Sequence, residues 1–161
     1  MPRFFSVLTH SGRKYFKDLA INRAWLYIWL YFSHIWKRIK KLLRMTAEEI
    51  REYCLKKTAV EEGFPFDNET LVFKVAGKMF LLLALDSQPL QFNVKCDPDK
   101  AVELREKYNY VLPGYHMSKK HWNTIICDPH AAKKNIFSWI DDSYDLVRKS
   151  LPKSLKNKLG L

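Results

Sequence analysis

The chain has 161 residues, of which 47% are apolar, with only five glycines and seven prolines, and this composition excludes a disordered or fibrous protein. Its net charge of +11 is unevenly distributed. Residues 1–44 hold ten Lys or Arg against one acid, whereas residues 45–161 hold eighteen against sixteen, so the first segment carries +9 and the remainder +2. A basic protein usually has a nucleic-acid or anionic-membrane partner, and here that argument applies mainly to the first 44 residues.

Within this leader, residues 1–44, the run from Ala24 to Trp36 is dense in aromatic and aliphatic side chains. Thirteen residues of helix span roughly 20 Å, which is short of the ~30 Å hydrocarbon core of a bilayer, so a spanning helix is disfavoured. The bases lie largely off a stripe of apolar residues that recur at helical spacing. The residues of this stripe are Trp25, Ile28, Trp29, Phe32, Trp36, Ile39 and Leu43. An aromatic face with a basic rim is typical of a helix at a membrane surface, which we expect residues 24–44 to contact.

The alternative is that the leader is an upstream in-frame extension, because the sequence after it begins like a true N-terminus. Thr46 and Glu49 have the spacing of a capping box, and Met45 and Ile50 occupy the positions of a hydrophobic staple. Residues 45–161 are therefore predicted to form a domain of their own. Its three cysteines are odd in number and have no CxxC spacing, which favours reduced thiols in the cytoplasm.

The first half of this domain predicts one helix and three strands. A helix is expected from Thr46 to Lys57, and Val60–Asn68, with Gly63 and Pro65, is predicted to be a loop. Three strands follow, with Ala76-Gly77 as the turn between the first two: Thr70–Val75, Lys78–Leu85 and Leu90–Cys96. The second of these is apolar on both faces, so we expect it at the centre of the sheet.

The second half predicts a helix, two strands and a last helix. Asp97-Pro98 begins a helix that runs to about Tyr108, and Pro113-Gly114 interrupts the next stretch. Trp122–Cys127 is the fifth extended segment, and the apolar stripe of Lys134–Leu151 predicts a helix that Pro152 stops. Hairpin-joined strands with grouped helices indicate an α+β fold of two layers. The predicted order is α-β-β-β-α-β-β-α around an antiparallel five-stranded sheet, preceded by the helical extension.

Several motifs, in order along most of the domain, resemble the MmcQ/YjbR family. They are Pro65-Phe66, GKMF at 77–80, NVKCDP at 93–98, PGYHM at 113–117, HWNT at 121–124 and DDSYDLV at 141–147. The resemblance covers residues 45–155. It implies a small bacterial cytosolic protein whose compact fold is likened to CyaY and to secretion chaperones, and for which a DNA-binding role has been proposed. It therefore indicates the fold strongly and the function weakly.

The stretch from Tyr115 to Thr124 is the leading candidate site, because it mixes cations, aromatic rings and hydrogen-bonding groups that can hold phosphates and stack bases. If the apolar faces of the strands pack on the helices, the opposite face adds lysines, an asparagine and either Phe80 or Leu82. The candidate nucleic-acid-binding residues are Lys74, Asn93, Lys95, Tyr115, His116, Lys119, Lys120, His121, Trp122, Asn123 and Thr124. Alternatively, Tyr115 and Trp122 are core residues and the lysines form a solvated turn.

Two hypotheses of function follow. The first is a non-enzymatic binding module whose ligand is DNA, although the near-neutral charge of the domain weighs against a phosphate-led contact. The second is a protein-interaction domain that works like an adaptor or a small chaperone.

No catalytic residue, metal or cofactor is predicted. The spacings of His116, His121, Cys127 and His130 match no standard set of metal ligands. The sequence has no Gly-x-Ser-x-Gly elbow and no glycine-rich phosphate loop. An enzyme that uses His116 or His121 as an acid or base is therefore a distant third hypothesis.

Overall fold

The computed structural model describes residues 26–35, 45–128 and 130–161. The chain divides into two units, with the boundary between Leu42 and Leu43. In the first unit, residues 26–35 are helical. Within the described residues, no helix is both long enough and apolar enough to cross a bilayer. The predicted positions Trp25, Trp36, Ile39 and Leu43 of the leader lie outside the described residues.

The second unit is built around one antiparallel sheet of six strands, in the order β1-β2-β3-β4-β6-β5. The described elements are α1 (Ala47–Leu55), β1 (Val60–Gly63), β2 (Thr70–Val75), β3 (Lys78–Ala84), β4 (Gln91–Lys95), α2 (Pro98–Lys107), β5 (Val111–Pro113), β6 (Trp122–Ile126), α3 (Lys133–Lys149) and α4 (Lys153–Leu159). The predicted α+β class is confirmed. β3 lies inside the sheet between β2 and β4, as its doubly apolar sequence predicts.

The predicted helix caps and the predicted hairpin turn are present in the structure. Glu49 N–H donates to Thr46 Oγ1 over 3.2 Å, and the Glu49 carboxylate accepts from Thr46 N–H over 3.0 Å. The Asp97 side chain caps α2, whose first residue is a proline. Ala76 and Gly77 both adopt positive φ, 51° and 76°, which is the backbone that a tight hairpin between β2 and β3 requires.

The prediction of five strands was wrong by one, because Val60–Gly63 is a strand and not part of a loop. It pairs with β2, with Val60 opposite Val75 and Glu62 opposite Phe73. Its sequence, VEEG, has a single β-branched residue, and as an edge strand it shows no clear alternation of burial. Pro152 does end α3, but it also precedes the short helix α4, which was not predicted.

The core lies between the helices and one side of the sheet, which we call the covered face. α3 packs on β3 and β4, and α1 packs on β1. The largest fully buried side chains include Phe73, Phe80 and Phe92. Buried Ser143 of α3 ties the layers together, because its hydroxyl donates to Phe80 O over 2.5 Å and accepts from Lys95 N–H over 2.8 Å.

Candidate binding groove on the open face of the sheet

The side of the sheet away from α1 and α3, the open face, presents the residues that alternate with the core positions. The strand register places them in three rows, because residues directly opposite one another in paired strands share a face. The first two rows are Thr70, Ala84, Gln91 and Ile126, then Val72, Leu82, Asn93 and Thr124, and the third consists of two pairs, Lys74 with Met79 and Lys95 with Trp122. A register shift between Phe73 and Lys74 sends Phe80 to the covered face, so Leu82 is the apolar residue that β3 contributes here.

Trp122 is a core residue of this face. Its side chain forms a small cluster with Val72 and Leu82, against which Met79 and Met117 pack. Only 7% of Trp122 is exposed, so its ring is not available to stack on a base. For Trp122, the structure supports the alternative interpretation given above.

Asn123 is not on the open face at all. It is fully buried on the side of α2, where Arg105 Nε donates to its Oδ1 over 2.7 Å and its own Nδ2 donates to Ala101 O over 3.4 Å. The Arg105 guanidinium also donates to the carbonyls of Lys119 and Trp122. Asn123 and Arg105 therefore hold the turn before β6 in place, which is a structural role.

Asn93 and Thr124 do come together, as predicted, and they position the backbone of Tyr115. Tyr115 N–H donates to Thr124 Oγ1 over 3.0 Å, the Thr124 hydroxyl donates to Asn93 Oδ1 over 2.6 Å, and Asn93 Nδ2 donates to Tyr115 O over 3.4 Å. The preceding Gly114 donates to Trp122 O over 2.8 Å, and a Cβ on it would lie 2.8 Å from the Trp122 Cβ. With its backbone anchored in this way, Tyr115 is 68% exposed.

Beside the Tyr115 ring, the open face forms a groove of about 720 Å³. Its floor consists of side chains from the first two rows: Thr70, Leu82, Ala84, Gln91, Asn93, Thr124 and Ile126. Phe66, which is 63% exposed, borders it from the β2 side, and Tyr115, His116 and Met117 border it from the side of β4 and β6. Exposed aromatic rings around a concave floor that mixes apolar and polar side chains are typical of a binding site.

The groove carries negative charge. Asp67, Glu69 and Asp86 line it, and no Lys or Arg does so among the described residues. The backbone N–H groups of Glu69 and Thr70 donate to the Asp67 carboxylate over 2.9 and 2.5 Å and lower its pKa below the usual value. Asp67 is therefore firmly ionised at neutral pH.

The remaining predicted cations lie elsewhere. Lys119, Lys120 and His121 are exposed in the turn that Arg105 holds, and Lys74 and Lys95 are half-buried in the third row. None of the five lines the groove. Of the eleven predicted site residues, the groove brings together Asn93, Tyr115, His116 and Thr124. Within the described residues, no cluster of three His, Cys, Asp or Glu could hold a metal ion.

Comparison with known proteins gives the family. A family model described as YjbR matches residues 55–146, more than half of the chain. The chain belongs to the YjbR family. It is 36% identical over 115 residues to the uncharacterized protein YbdF of Escherichia coli O157:H7, covering 71% of this chain and 91% of that protein. It is 29% identical over 115 residues to the uncharacterized protein YjbR of Escherichia coli K12, covering 71% and 97%.

Solved structures agree with this assignment. The Deinococcus radiodurans protein DR2400 superimposes with a TM-score of 0.69 at 36% identity, covering 72% of this chain and 88% of that one. A protein from Pseudomonas syringae gives 0.56 at 26% identity, covering 64% and 99%. The resemblance to the MmcQ/YjbR family is thus confirmed, and every residue that lines the groove lies within the region that the YjbR model matches.

Sequence reasoning missed the wall of the groove on the β2 side. Phe66 and Asp67 were assigned to the predicted loop Val60–Asn68, and neither they nor Asp86 were among the candidate site residues. One signal in the sequence could have pointed to this wall. Phe66 is a large apolar residue that follows Pro65 in a stretch predicted to be a loop, where no strand would bury it. What brings Glu69 and Asp86 together is the β2–β3 pairing, in which Leu85 N–H donates to Glu69 O over 2.9 Å.

Proposed function

We propose that this YjbR-family protein is a non-enzymatic protein-interaction module whose groove binds an extended, apolar peptide segment that carries Lys or Arg. The observation that supports this proposal is the composition of the groove, where a lining whose exposed surface is mainly apolar, with two exposed aromatic rings, is combined with three carboxylates and no Lys or Arg among the described residues. Such a lining matches apolar side chains with cationic neighbours. The cytoplasmic location expected from the cysteines belongs to the same proposal.

The dimensions of the groove suit a short extended segment. The row Thr70–Ala84–Gln91–Ile126 crosses four adjacent strands, and three interstrand spacings amount to about 14 Å. About four residues of extended chain span that distance. A peptide along this row places alternate side chains on the floor and leaves the others near the carboxylates at the rim.

The same charges disfavour DNA as the ligand of the groove. A phosphate would face Asp67, Glu69 and Asp86 without a compensating Lys or Arg in the lining. DNA binding remains a hypothesis for a different surface, the turn that carries Lys119 and Lys120. The protein-interaction hypothesis therefore takes first place.

Two matched synthetic peptides test the proposal. Both alternate Leu or Phe with a charged residue, which is Lys in one peptide and Glu in the other, and affinity is measured by calorimetry. We expect the Lys peptide to bind and the Glu peptide to bind at least about tenfold more weakly, because three carboxylates repel it. Tyr115→Ala should lower the affinity for the Lys peptide by about fivefold or more, because it removes an exposed aromatic anchor.

Val102→Ala is the matched control, because Val102 is also exposed but lies on α2 and does not line the groove. Equal affinity for the two peptides, or an equal effect of both variants, would contradict the proposal. Duplex DNA is measured in parallel at several salt concentrations. Tighter binding of DNA than of the Lys peptide, lost in Lys119→Ala with Lys120→Ala but not in Tyr115→Ala, would return DNA to first place.

A further inference from the structure

The helix at residues 26–35 has exposed apolar side chains along its whole length. Eight of its ten residues are large apolar side chains, and all eight are between 36% and 69% exposed. They are Leu26, Tyr27, Ile28, Trp29, Leu30, Tyr31, Phe32 and Ile35. A continuous apolar surface of this kind marks a site of interaction with a partner.

Helical spacing gives this short helix two different sides. Ile28, Phe32 and Ile35 follow one another at i, i+4 and i+7 and form a purely apolar side. Tyr27, Tyr31 and His34 have the same spacing, and each combines an apolar ring with a polar group. Tyrosine and tryptophan rings favour the headgroup level of a bilayer, where one end of the ring meets lipid and the other meets water.

The positive charge of the surrounding sequence favours lipids with anionic headgroups. Arg23 precedes the helix, and five bases follow it: Lys37, Arg38, Lys40, Lys41 and Arg44. Residues 1–44 contain only one acid, so the segment is complementary to anionic headgroups. As a helix, the apolar run from Ala24 to Trp36 would span roughly 20 Å, which suits a helix lying in the interface and is short of the ~30 Å hydrocarbon core.

We infer that residues 26–35 are a membrane-interface helix that attaches this protein to the surface of an anionic bilayer. The apolar side formed by Ile28, Phe32 and Ile35 enters the boundary between headgroups and acyl chains. The bases nearby in the sequence contribute electrostatic attraction that salt weakens. This inference is independent of the groove, which lies in the other unit of the chain.

Co-sedimentation of the full chain with vesicles tests it. One set of vesicles contains equal parts of phosphatidylcholine and phosphatidylglycerol, and the other contains phosphatidylcholine alone. We expect binding to the anionic vesicles at low salt and weaker binding at high salt or to the neutral vesicles. A blue shift of tryptophan emission should accompany binding and is assigned to the leader, because Trp122 and Trp139 are already buried, with 7% and 6% exposed.

Two variants separate apolar insertion from other effects. Ile28→Ala with Phe32→Ala should lower vesicle affinity at least about tenfold, because two large side chains of the apolar side no longer leave water. Ser33→Ala, in the same helix but on neither of these sides, should change vesicle affinity less than about twofold, because the Ser33 hydroxyl is bonded within the helix to Leu30 O. Equal losses in both variants, the absence of binding at low salt, or sedimentation of the protein without vesicles would each overturn the inference.

Discussion

The two faces of the sheet use the same strands for opposite purposes. On the covered face, Phe73, Phe80 and Phe92 are completely buried beneath helices. On the open face, the buried cluster is limited to Val72, Leu82 and Trp122, and beside it lies the groove. Neighbouring residues of one strand therefore have different roles, so a substitution on one face should change stability and a substitution on the other should change binding.

Polar groups show the same division in a less obvious way. On the covered face, the Ser143 hydroxyl joins α3 to β3 and β4. On the open face, Asn93 and Thr124 bind each other and the Tyr115 backbone. No buried side-chain nitrogen or oxygen among the described residues lacks a partner. Since these polar side chains are already engaged, the aromatic rings and the carboxylates are the groups best placed to meet a ligand.

The largest predicted effect is a loss of stability from a substitution on the covered face. Phe73→Ala should lower the free energy of unfolding by about 3–5 kcal/mol, because it removes a fully buried ring and leaves a cavity. Tyr115→Ala should change it by less than about 0.5 kcal/mol, because that ring is already exposed. Urea unfolding of the full chain measures both values. A loss of more than about 2 kcal/mol in Tyr115→Ala would show that the open face also carries the fold.

Alkaline pH should also act through buried groups of the covered side. Burial raises the pKa of Cys54 and of Cys127 from 9.0 to about 12. Burial, together with the hydrogen bond to Asp141, raises the pKa of Tyr53 to about 12. The unfolded chain therefore loses these protons at a lower pH than the folded chain does, so this contribution to stability is complete below pH 9 and falls as the pH rises towards 12.

Melting temperatures measured across that range test this prediction. In Cys54→Ala, the melting temperature should be lower at neutral pH but should fall less steeply with pH, since one of the titrating groups is gone. An identical slope in Cys54→Ala and the unaltered protein would show that the Cys54 thiol does not contribute. His121→Gly, a change at an exposed site, should leave the slope unchanged.

Most of the fold could be predicted because its signals are local. Thr46 with Glu49, Asp97 with Pro98, and Ala76 with Gly77 each specify a cap or a turn within a few residues. Val60–Gly63 could not be predicted, because an edge strand with half-exposed side chains has neither alternation nor β-propensity. Its contacts are with elements outside the strand itself: it pairs with β2, and Glu62 forms an ion pair with Arg51 of α1 at 2.5 Å.

The candidate site was predicted only in part, because its residues meet through long-range pairing. Asn93, Tyr115 and Thr124 were grouped correctly from strand alternation and a shared stretch of sequence. Asn123 was misplaced, because in β6 it faces α2 on the covered side. Glu69 and Asp86 become neighbours only through the β2–β3 register, which a single sequence does not specify.

The smallest predicted effect concerns the backbone at the rim of the groove. His116 has φ of 53°, a left-handed conformation that is uncommon for a residue other than glycine, and its ring centroid lies 4.0 Å from that of Tyr115. His116→Gly relieves the backbone strain but adds chain entropy to the unfolded state, and the two effects are each about 1 kcal/mol. The free energy of unfolding should therefore change by less than about 0.5 kcal/mol.

Binding should separate His116 from an ordinary turn residue. Without the imidazole, the Tyr115 ring loses a neighbour that restricts its motion. His116→Gly should therefore lower the affinity for the Lys peptide by about two- to threefold. His121→Gly is the matched control: His121 is exposed, has no positive φ and does not line the groove. It should lose about 0.5–1 kcal/mol of stability and no affinity. If both variants lose the same stability, the left-handed turn stores no strain. If His116→Gly binds the Lys peptide as tightly as the unaltered protein does, His116 does not contribute to the affinity, and the contribution of this rim comes from Tyr115.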